Sequence, residues 1–194
     1  MSVDPIHTPR LVLRSWRPED APVLKDAIDS SLAELREWMP WAVNEPSPVG
    51  LMSDRLTTMQ SKFANGEDWT YAVLSKESKR LVGGAGLHPR IGAGGLEIGY
   101  WIRTDSTGAG LATETAAALT AAAFEWPGID RVEIRCDPRN LKSAAIPRHL
   151  GYSHTTTLKA NTVTPQGAPR DTMVWTLTRA ELDAGLPHVR RYGT

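Results

Sequence analysis

"LEIGYWIRTDSTGAGLATETAAALTAAAFEW" (Leu96 to Trp126) holds the turn on which the fold depends. In its first part Leu96, Ile98, Tyr100 and Ile102 alternate with other residues, so one face of a strand is apolar. Five polar residues, Arg103 to Thr107, then lead to Gly108 and Gly110. Beyond them the alanine-rich run predicts a helix from about Gly110 to Glu125. Glycines at such a turn let the backbone approach a ligand. The first-turn N–H groups, about Ala109 to Thr113, have no partner within the helix, and the macrodipole adds about half a positive charge there. A pyrophosphate fits that end without any lysine. On the loop alone, glycines that merely permit the turn remain an equal reading.

Two familiar phosphate loops do not fit. A Walker loop needs Lys and then Ser/Thr after its last glycine, whereas Leu111 and Ala112 follow Gly110. A dinucleotide fingerprint needs the strand to end at the first glycine and a third glycine or alanine where Thr113 stands.

Upstream, "RLVLRSW" (Arg10 to Trp16) reads as a strand. "PEDAPVLKDAID" reads as a helix with Pro18, Glu19 and Asp20 at its positive end. "SLAELREWMPW" is a second helical segment broken by Pro40. A Pro-containing loop, Asn44 to Pro48, leads to a helix marked by Leu51, Leu56, Met59 and Phe63 and ended by Gly66. "WTYAVLSK" and "RLVGGAGLHP" form a hairpin around "ESK", and "IGAGG" turns the chain into the opening strand. Downstream, "RVEIRCD" is a strand, "NLKSAAIPRHLG" contains a short helix, and "YSHTTTLK" and "DTMVWTLT" are strands. The expectation is a mixed α/β (α+β) fold in one domain spanning residues 1–194. Its core covers about 9–178, with short polar tails such as "HVRRYGT" that are loose.

Composition narrows the function. The 194 residues carry 22 Lys plus Arg against 22 Asp plus Glu, so the formal charge is zero and nucleic acid is a disfavoured partner. The single cysteine, Cys136, excludes an internal disulfide, suits a reducing cytosol and reads as a buried strand residue. No membrane span is expected, because the most apolar run, Ala116 to Trp126, is too short and alanine-rich, and "MSVDPIHTPR" is no signal peptide. A cytoplasmic location follows. His7, His88, His149, His154 and His188 show no metal-ligand spacing. Among the seven tryptophans, Trp101 and Trp175 read as core; core packing is also the first reading of Trp38 and Trp41, with the lining of an acceptor cleft as the alternative.

"LEIGYWIRTDSTGAGLATETAAAL" followed by "NLKSAAIPRHLGY" closely resembles the GNAT acetyltransferases, in the branch of RimJ/RimL-type ribosomal-protein N-terminal acetyltransferases. "TPRLVLRSWRPEDAPVL" resembles that branch's first strand and helix, and "ELREWMPW" and "LVGGAGL" its middle segments. The resemblance runs from about Pro9 to Leu177. It implies acetyl-CoA as donor, a primary amine as acceptor, and a mostly antiparallel central sheet, flanked by helices, that splays after "LEIGYWI". It places Ile102 and Arg103 on the pantetheine arm through their main chain. Gly108, Ala109, Gly110, Ala112 and Thr113 would hold the phosphates, and Asn140 would touch the coenzyme. The family's loop usually has Gln or Arg where this chain has Asp105. A homodimer is the assembly the resemblance allows.

Transfer needs a neutral amine, a proton acceptor and a proton source for the leaving thiolate. An α-amino group, with a pKa of about 7.7–8.0, is partly neutral near neutral pH, whereas a lysine at about 10.4 is not. Glu97, on the strand entering the loop, is the expected acceptor, with an ordinary solvent-facing or ion-paired strand glutamate as the alternative. Asp171 is a weaker candidate. The resemblance implies a further carboxylate on the penultimate strand, yet "LKANTV" has none. Many relatives carry a tyrosine four residues before the glycine of "LGY"; that position is Pro147, which has nothing to donate. Ser143 stands three residues after Asn140 as in the RimL branch, and the resemblance implies that it is the proton donor, with helix capping as the alternative.

The leading expectation is therefore acetyl transfer to the α-amino group of a protein or peptide. Transfer to a small amine (an antibiotic, a polyamine or an amino-acid derivative) and a silent acyl-CoA-binding domain are the alternatives. Residues Ser30 to Gly66 and the "KANTVTPQGAPR" loop would decide the acceptor.

Overall fold

The computed structural model describes residues 4–164, 167–185 and 189. An edge hairpin, β1 (Ile6–His7) and β2 (Leu11–Ser15), leads through a 3-10 turn at Pro18–Asp20 into α1 (Ala21–Asp29) and α2 (Leu32–Trp38). A second 3-10 turn, Pro40–Asn44, precedes α3 (Val49–Asn65). Three strands follow: β3 (Trp69–Ser75), β4 (Leu81–His88) and β5 (Gly95–Ile102). Then come α4 (Leu111–Phe124), β6 (Arg131–Cys136), α5 (Leu141–Leu150), β7 (Ser153–Val163), β8 (Pro169–Thr178) and α6 (Arg179–Asp183).

One eight-stranded sheet runs in the order β1-β2-β3-β4-β5-β6-β8-β7. Its neighbours are antiparallel except β5 and β6, which are parallel and joined by the crossover helix α4. Strand alternation divides the core in two. Leu96, Ile98, Leu119, Ile134 and Leu150 pack on the face that carries α4 and α5. Trp16, Leu35, Met52, Leu56 and Ala72 pack on the face that carries α1, α2 and α3. Helix α4 is buried along almost its whole length. Its alanines suit that position, because small side chains let a helix lie close against the sheet.

The parallel pairing is short. It joins Gly95 to Arg131, Leu96 to Val132, Glu97 to Glu133 and Ile98 to Ile134, and goes no further. On its other edge β5 stays paired with β4 from Glu97 to Ile102. From Gly99 onward one edge of β5 is therefore open: the sheet splays where the resemblance placed the splay.

The strands and helices read from the sequence are present, with three differences. Strand β1 is two residues long, too brief to give a periodicity. Helix α6 escaped notice because its capping box, Thr178 with Glu181, follows β8 without a break. Strand β7 continues past Lys159 to Val163, across a register shift that contains Ala160 at φ +46°. The tail read as loose lies outside the described residues, apart from Val189, which is buried. Among the described residues no helix is long and apolar enough to cross a membrane.

One buried charge ties the edge hairpin to the crossover helix. Glu114, in the first turn of α4, is fully buried. It accepts hydrogen bonds from Thr8 Oγ1 at 2.5 Å, from the Arg10 amide at 2.9 Å and from Arg10 Nε at 2.6 Å. Removing a buried charge's partner normally costs about 3–5 kcal/mol, but Arg10 is half exposed and water can take over part of its solvation. Glu114→Ala should lower unfolding free energy by about 2 kcal/mol in a urea titration.

Candidate active site

The splay creates the first element of a site. Arg103 donates its amide to the Val82 carbonyl at 2.8 Å, so alternate residues Tyr100 and Ile102 turn their backbone groups to the open edge. Both backbone groups of Arg103 are engaged within the protein, because its carbonyl also accepts from the Ser106 amide at 2.9 Å. Of the two residues expected on the pantetheine arm, Ile102 faces the open edge and Arg103 does not. The buried Arg103 guanidinium instead ties α1 to the loop through Asp26 Oδ2 at 2.6 Å and Asp105 Oδ2 at 3.3 Å.

Beyond β5 the chain reaches the glycine loop. Gly108 and Gly110 adopt φ of +78° and +75°, a region that L side chains rarely enter. Gly110 is the N-cap of α4, and the first helical bond runs from the Glu114 amide to its carbonyl at 3.1 Å. The amides ahead of Glu114, including those of Ala112 and Thr113, are thus left for an anion. A methyl group at Gly108 would meet no protein atom within 4 Å, so the space over the loop is open. Arg10 Nη1 holds the Ala109 carbonyl at 2.7 Å from below.

Asp105 does not aim its charge at this cradle. Arg80 Nη2 takes it at 2.7 Å, Ser106 Oγ donates at 2.9 Å, and Arg103 approaches from the other side. The Arg80 hydrogen bond, with those of Ser106 and Arg103, lowers its pKa to about 2. Its negative charge therefore persists over the whole working pH range and is matched by guanidinium groups.

The other wall of the splay is the start of α5. Asn140 caps this helix: its Oδ1 accepts from the Ser143 amide at 2.9 Å, which leaves Nδ2 outside the cap. Pro147 lies inside the helix and has no N–H for the Ser143 carbonyl one turn back. The Tyr100 hydroxyl approaches that carbonyl at 3.4 Å and Ser143 Oγ at 3.3 Å. Burial pushes the Tyr100 phenol above its ordinary range, so it stays protonated. Cys136 is buried at the end of β6, as its position suggested. Burial raises its thiol pKa, against hydrogen bonds to Ser143 and Trp175. Ser143, Tyr100 and Cys136 thus form one cluster beside the open edge.

Glu97 lies on the opposite face of the sheet. Arg90 grips its carboxylate with two hydrogen bonds, at 3.0 and 2.5 Å, and Arg135 stands 3.7 Å away. Asp171 on β8 pairs with Lys159 and accepts from the Ala160 amide at the β7 irregularity. Those contacts, Lys159 first, lower its pKa. A cleft of about 420 Å³ brings together the two regions expected to meet the acceptor: Ala33, Arg36, Glu37 and Trp38 from α2, and Thr164 beyond β7, with Arg139. Arg170 links them, reaching the Trp38 carbonyl at 3.1 Å and buried Asp137 at 3.2 Å. Trp38 lines this cleft, whereas Trp41 packs edge-on against Trp101. Among the described residues no cluster of His, Cys, Asp or Glu is arranged to hold a metal.

Sequence reasoning missed Tyr100 and Arg10. Tyr100 read as one of four apolar-face residues; the missing donor at Pro147 was the cue to look elsewhere for a hydroxyl. Nothing local pointed to Arg10, because its partners lie about a hundred residues away.

The profile of the acetyltransferase (GNAT) domain matches residues 10–153. YdaF of Bacillus subtilis (strain 168), named as a candidate ribosomal N-acetyltransferase, is 28% identical over 143 residues, 73% of this chain and 77% of its own. Among solved structures, the RimL ribosomal L7/L12 alpha-N-protein acetyltransferase in complex with coenzyme A superposes with a TM-score of 0.82 at 18% identity. That match covers 92% of this chain and 99% of that one. Mycobacterium smegmatis RimJ, in complex with CoA-disulfide, gives a TM-score of 0.82 at 21% identity over 97% and 95% of the two chains.

The cradle can be tested apart from folding. Gly108→Val adds about 1–2 kcal/mol of backbone strain and fills the space over the amides. Calorimetric titration should show acetyl-CoA binding weakened at least about tenfold in a protein that still melts cooperatively.

Proposed function

The chain belongs to the GNAT acetyltransferase family, and on that premise we propose that it transfers the acetyl group of acetyl-CoA to the α-amino group of a protein or peptide. The observation that carries this reading is the end of the β5–β6 pairing at Ile98 and Ile134, with the Ser143–Tyr100 pair beside the opening. The names of YdaF and RimL support a protein acceptor of the ribosomal kind. A cytoplasmic site of action goes with that acceptor.

The residues present fit the coenzyme. Tyr100 and Ile102 offer backbone groups to the pantetheine arm as an added strand would. The amides of Gly108, Ala109, Gly110, Ala112 and Thr113 take the pyrophosphate, and Asn140 Nδ2 is free to donate. Bound acetyl-CoA supplies the activated thioester. Ser143 returns a proton to the departing sulfur, and Tyr100, 3.3 Å from its oxygen, keeps that hydroxyl oriented and resupplied. A hydroxyl is a weak acid, so this pair acts through short reach. Glu97 has both carboxylate oxygens in the Arg90 fork; its part is to fix the floor of the acceptor side. The cleft under α2 receives the residues that follow the acceptor's amino group.

Intact-mass detection of transfer from acetyl-CoA, over peptides with free or blocked N-termini and a set of small amines, tests the reading. Acetylation that requires the free peptide N-terminus is expected. Transfer only to small amines would replace the acceptor, and coenzyme binding without turnover would favour a silent binder. Ser143→Ala should lower kcat about 10²-fold while the Kd for acetyl-CoA stays within about twofold. Unchanged turnover would remove Ser143 from the proton path.

A further inference from the structure

On the face of the sheet opposite Ser143, glycines make room for two ring side chains, the Trp101 indole over Gly84 and the His88 imidazole over Gly86 and Gly99. Along β4 and β5 the positions on this face are Gly84, Gly86 and His88, and Glu97, Gly99 and Trp101. Gly86 pairs across to Gly99 on one side and to Thr70 on the other. A methyl group added at Gly86 would meet His88 Nε2 at 2.7 Å, and one added at Gly99 would meet it at 3.3 Å. The Nε2 edge of the imidazole therefore lies over the two glycines. Gly99 is also the first residue of β5 whose far edge is open. Thr70 Oγ1, opposite Gly86, is buried with no hydrogen-bond partner among the described residues.

His88 is oriented. Its Nδ1 lies 2.6 Å from Asp68 Oδ1, and an ionised carboxylate only accepts, so Nδ1 carries a proton and in the neutral ring the lone pair is on Nε2. Nε2 has no hydrogen-bond partner among the described residues. The other charged groups on this face are already matched: Glu97 by Arg90 and Arg135, and Glu133 by Arg135 and Arg131. Met52, Leu56 and Met59 of α3 pack over the same face, and Arg14, opposite Ala72 on β3, is matched by Asp20. An amine entering from this side thus meets one unengaged base.

Resting on the acetyl-transfer reading above, we propose that His88, held by Asp68 and lying over Gly86 and Gly99 where the edge of β5 opens, is the proton acceptor for the incoming amine. As the amine nitrogen bonds to the acetyl carbon, its proton passes to His88 Nε2. The carbon–sulfur bond breaks, and the sulfur takes a proton from Ser143 on the other face of the sheet. The immediate products are the N-acetyl amine, coenzyme A thiol, a histidinium and the Ser143 alkoxide; the histidinium gives its proton to water and water returns one to Ser143, which restores both groups. The two proton-handling groups stand on opposite faces, and the open edge of β5 lies between them. Asp68 is the positioning residue.

The test is the pH dependence of kcat/KM, measured with whichever amine the wild-type protein acetylates. Two groups must be deprotonated, the free amine and His88. The wild-type log profile should therefore fall with a slope of two at low pH, and His88→Gln should fall with a slope of one. The variant's kcat should drop about 10²-fold, with acetyl-CoA affinity unchanged within about twofold. Asp68→Asn should fold, bind the coenzyme and displace the same acid limb, and it serves if His88→Gln does not fold. An acid limb of unchanged slope and position in a folded variant overturns the proposal. A wild-type protein that acetylates only small amines overturns the peptide reading, while the slope with those amines still decides the role of His88.

Discussion

Four residue pairs of parallel sheet, and their abrupt end, set everything that follows. Had β5 and β6 stayed paired to their ends, the backbone groups of Tyr100 and Ile102 would be consumed and the sheet would have no slot. Two things draw the strands apart. β5 remains bound to β4 as far as Ile102, while β6 follows β8 to Cys136 paired with Met173. Helix α4, which must cross between two parallel neighbours, brings its N-terminal amides to the mouth of the slot. A backbone edge and a helix terminus are the two largest sets of unspent hydrogen-bonding groups a chain can offer, and this topology puts them side by side.

The chemistry divides along the same line. Alternation along β5 sends Tyr100 toward α5 and Gly99 toward α3, so one strand serves both sides of the slot. On the α5 side, Pro147 withholds a helical hydrogen bond and Tyr100 approaches the carbonyl left over. On the other side, glycines at 84, 86 and 99 leave room for the Trp101 indole and the His88 imidazole, which lie where a larger residue's side chain would stand. The charged residues there are tied into arginine forks, which keeps the floor rigid and its net charge small.

How much of this was legible depended on sequence separation. The alternation of Leu96, Ile98, Tyr100 and Ile102, and the handover through Gly108 and Gly110, are local patterns with local causes, and they located the strand, the crossover helix and the glycine loop between them. Ser143 was singled out by the resemblance to the RimL branch, in which it stands three residues after Asn140. The contact of Tyr100 with Ser143, the fork of Arg90 on Glu97 and the grip of Arg10 on Glu114 were not legible, since each depends on strands that meet only in the folded sheet. Asp105 looked like a flaw in the loop until Arg80, on the neighbouring hairpin, proved to face it. Strand β1 and the Ala160 irregularity gave no signal, being shorter than any period that could reveal them.

The Arg10–Glu114 clamp carries one consequence beyond stability. Arg10 belongs to the edge hairpin, yet it touches both the carboxylate at the foot of α4 and the Ala109 carbonyl within the glycine loop. Docking of the hairpin and shaping of the anion cradle are thus one event. By linkage, a ligand that settles the cradle must also hold the hairpin down, with an equal free energy in each direction. The occupied and empty proteins would then differ most in local opening at a sheet edge on the far side of α4, a place the ligand never touches.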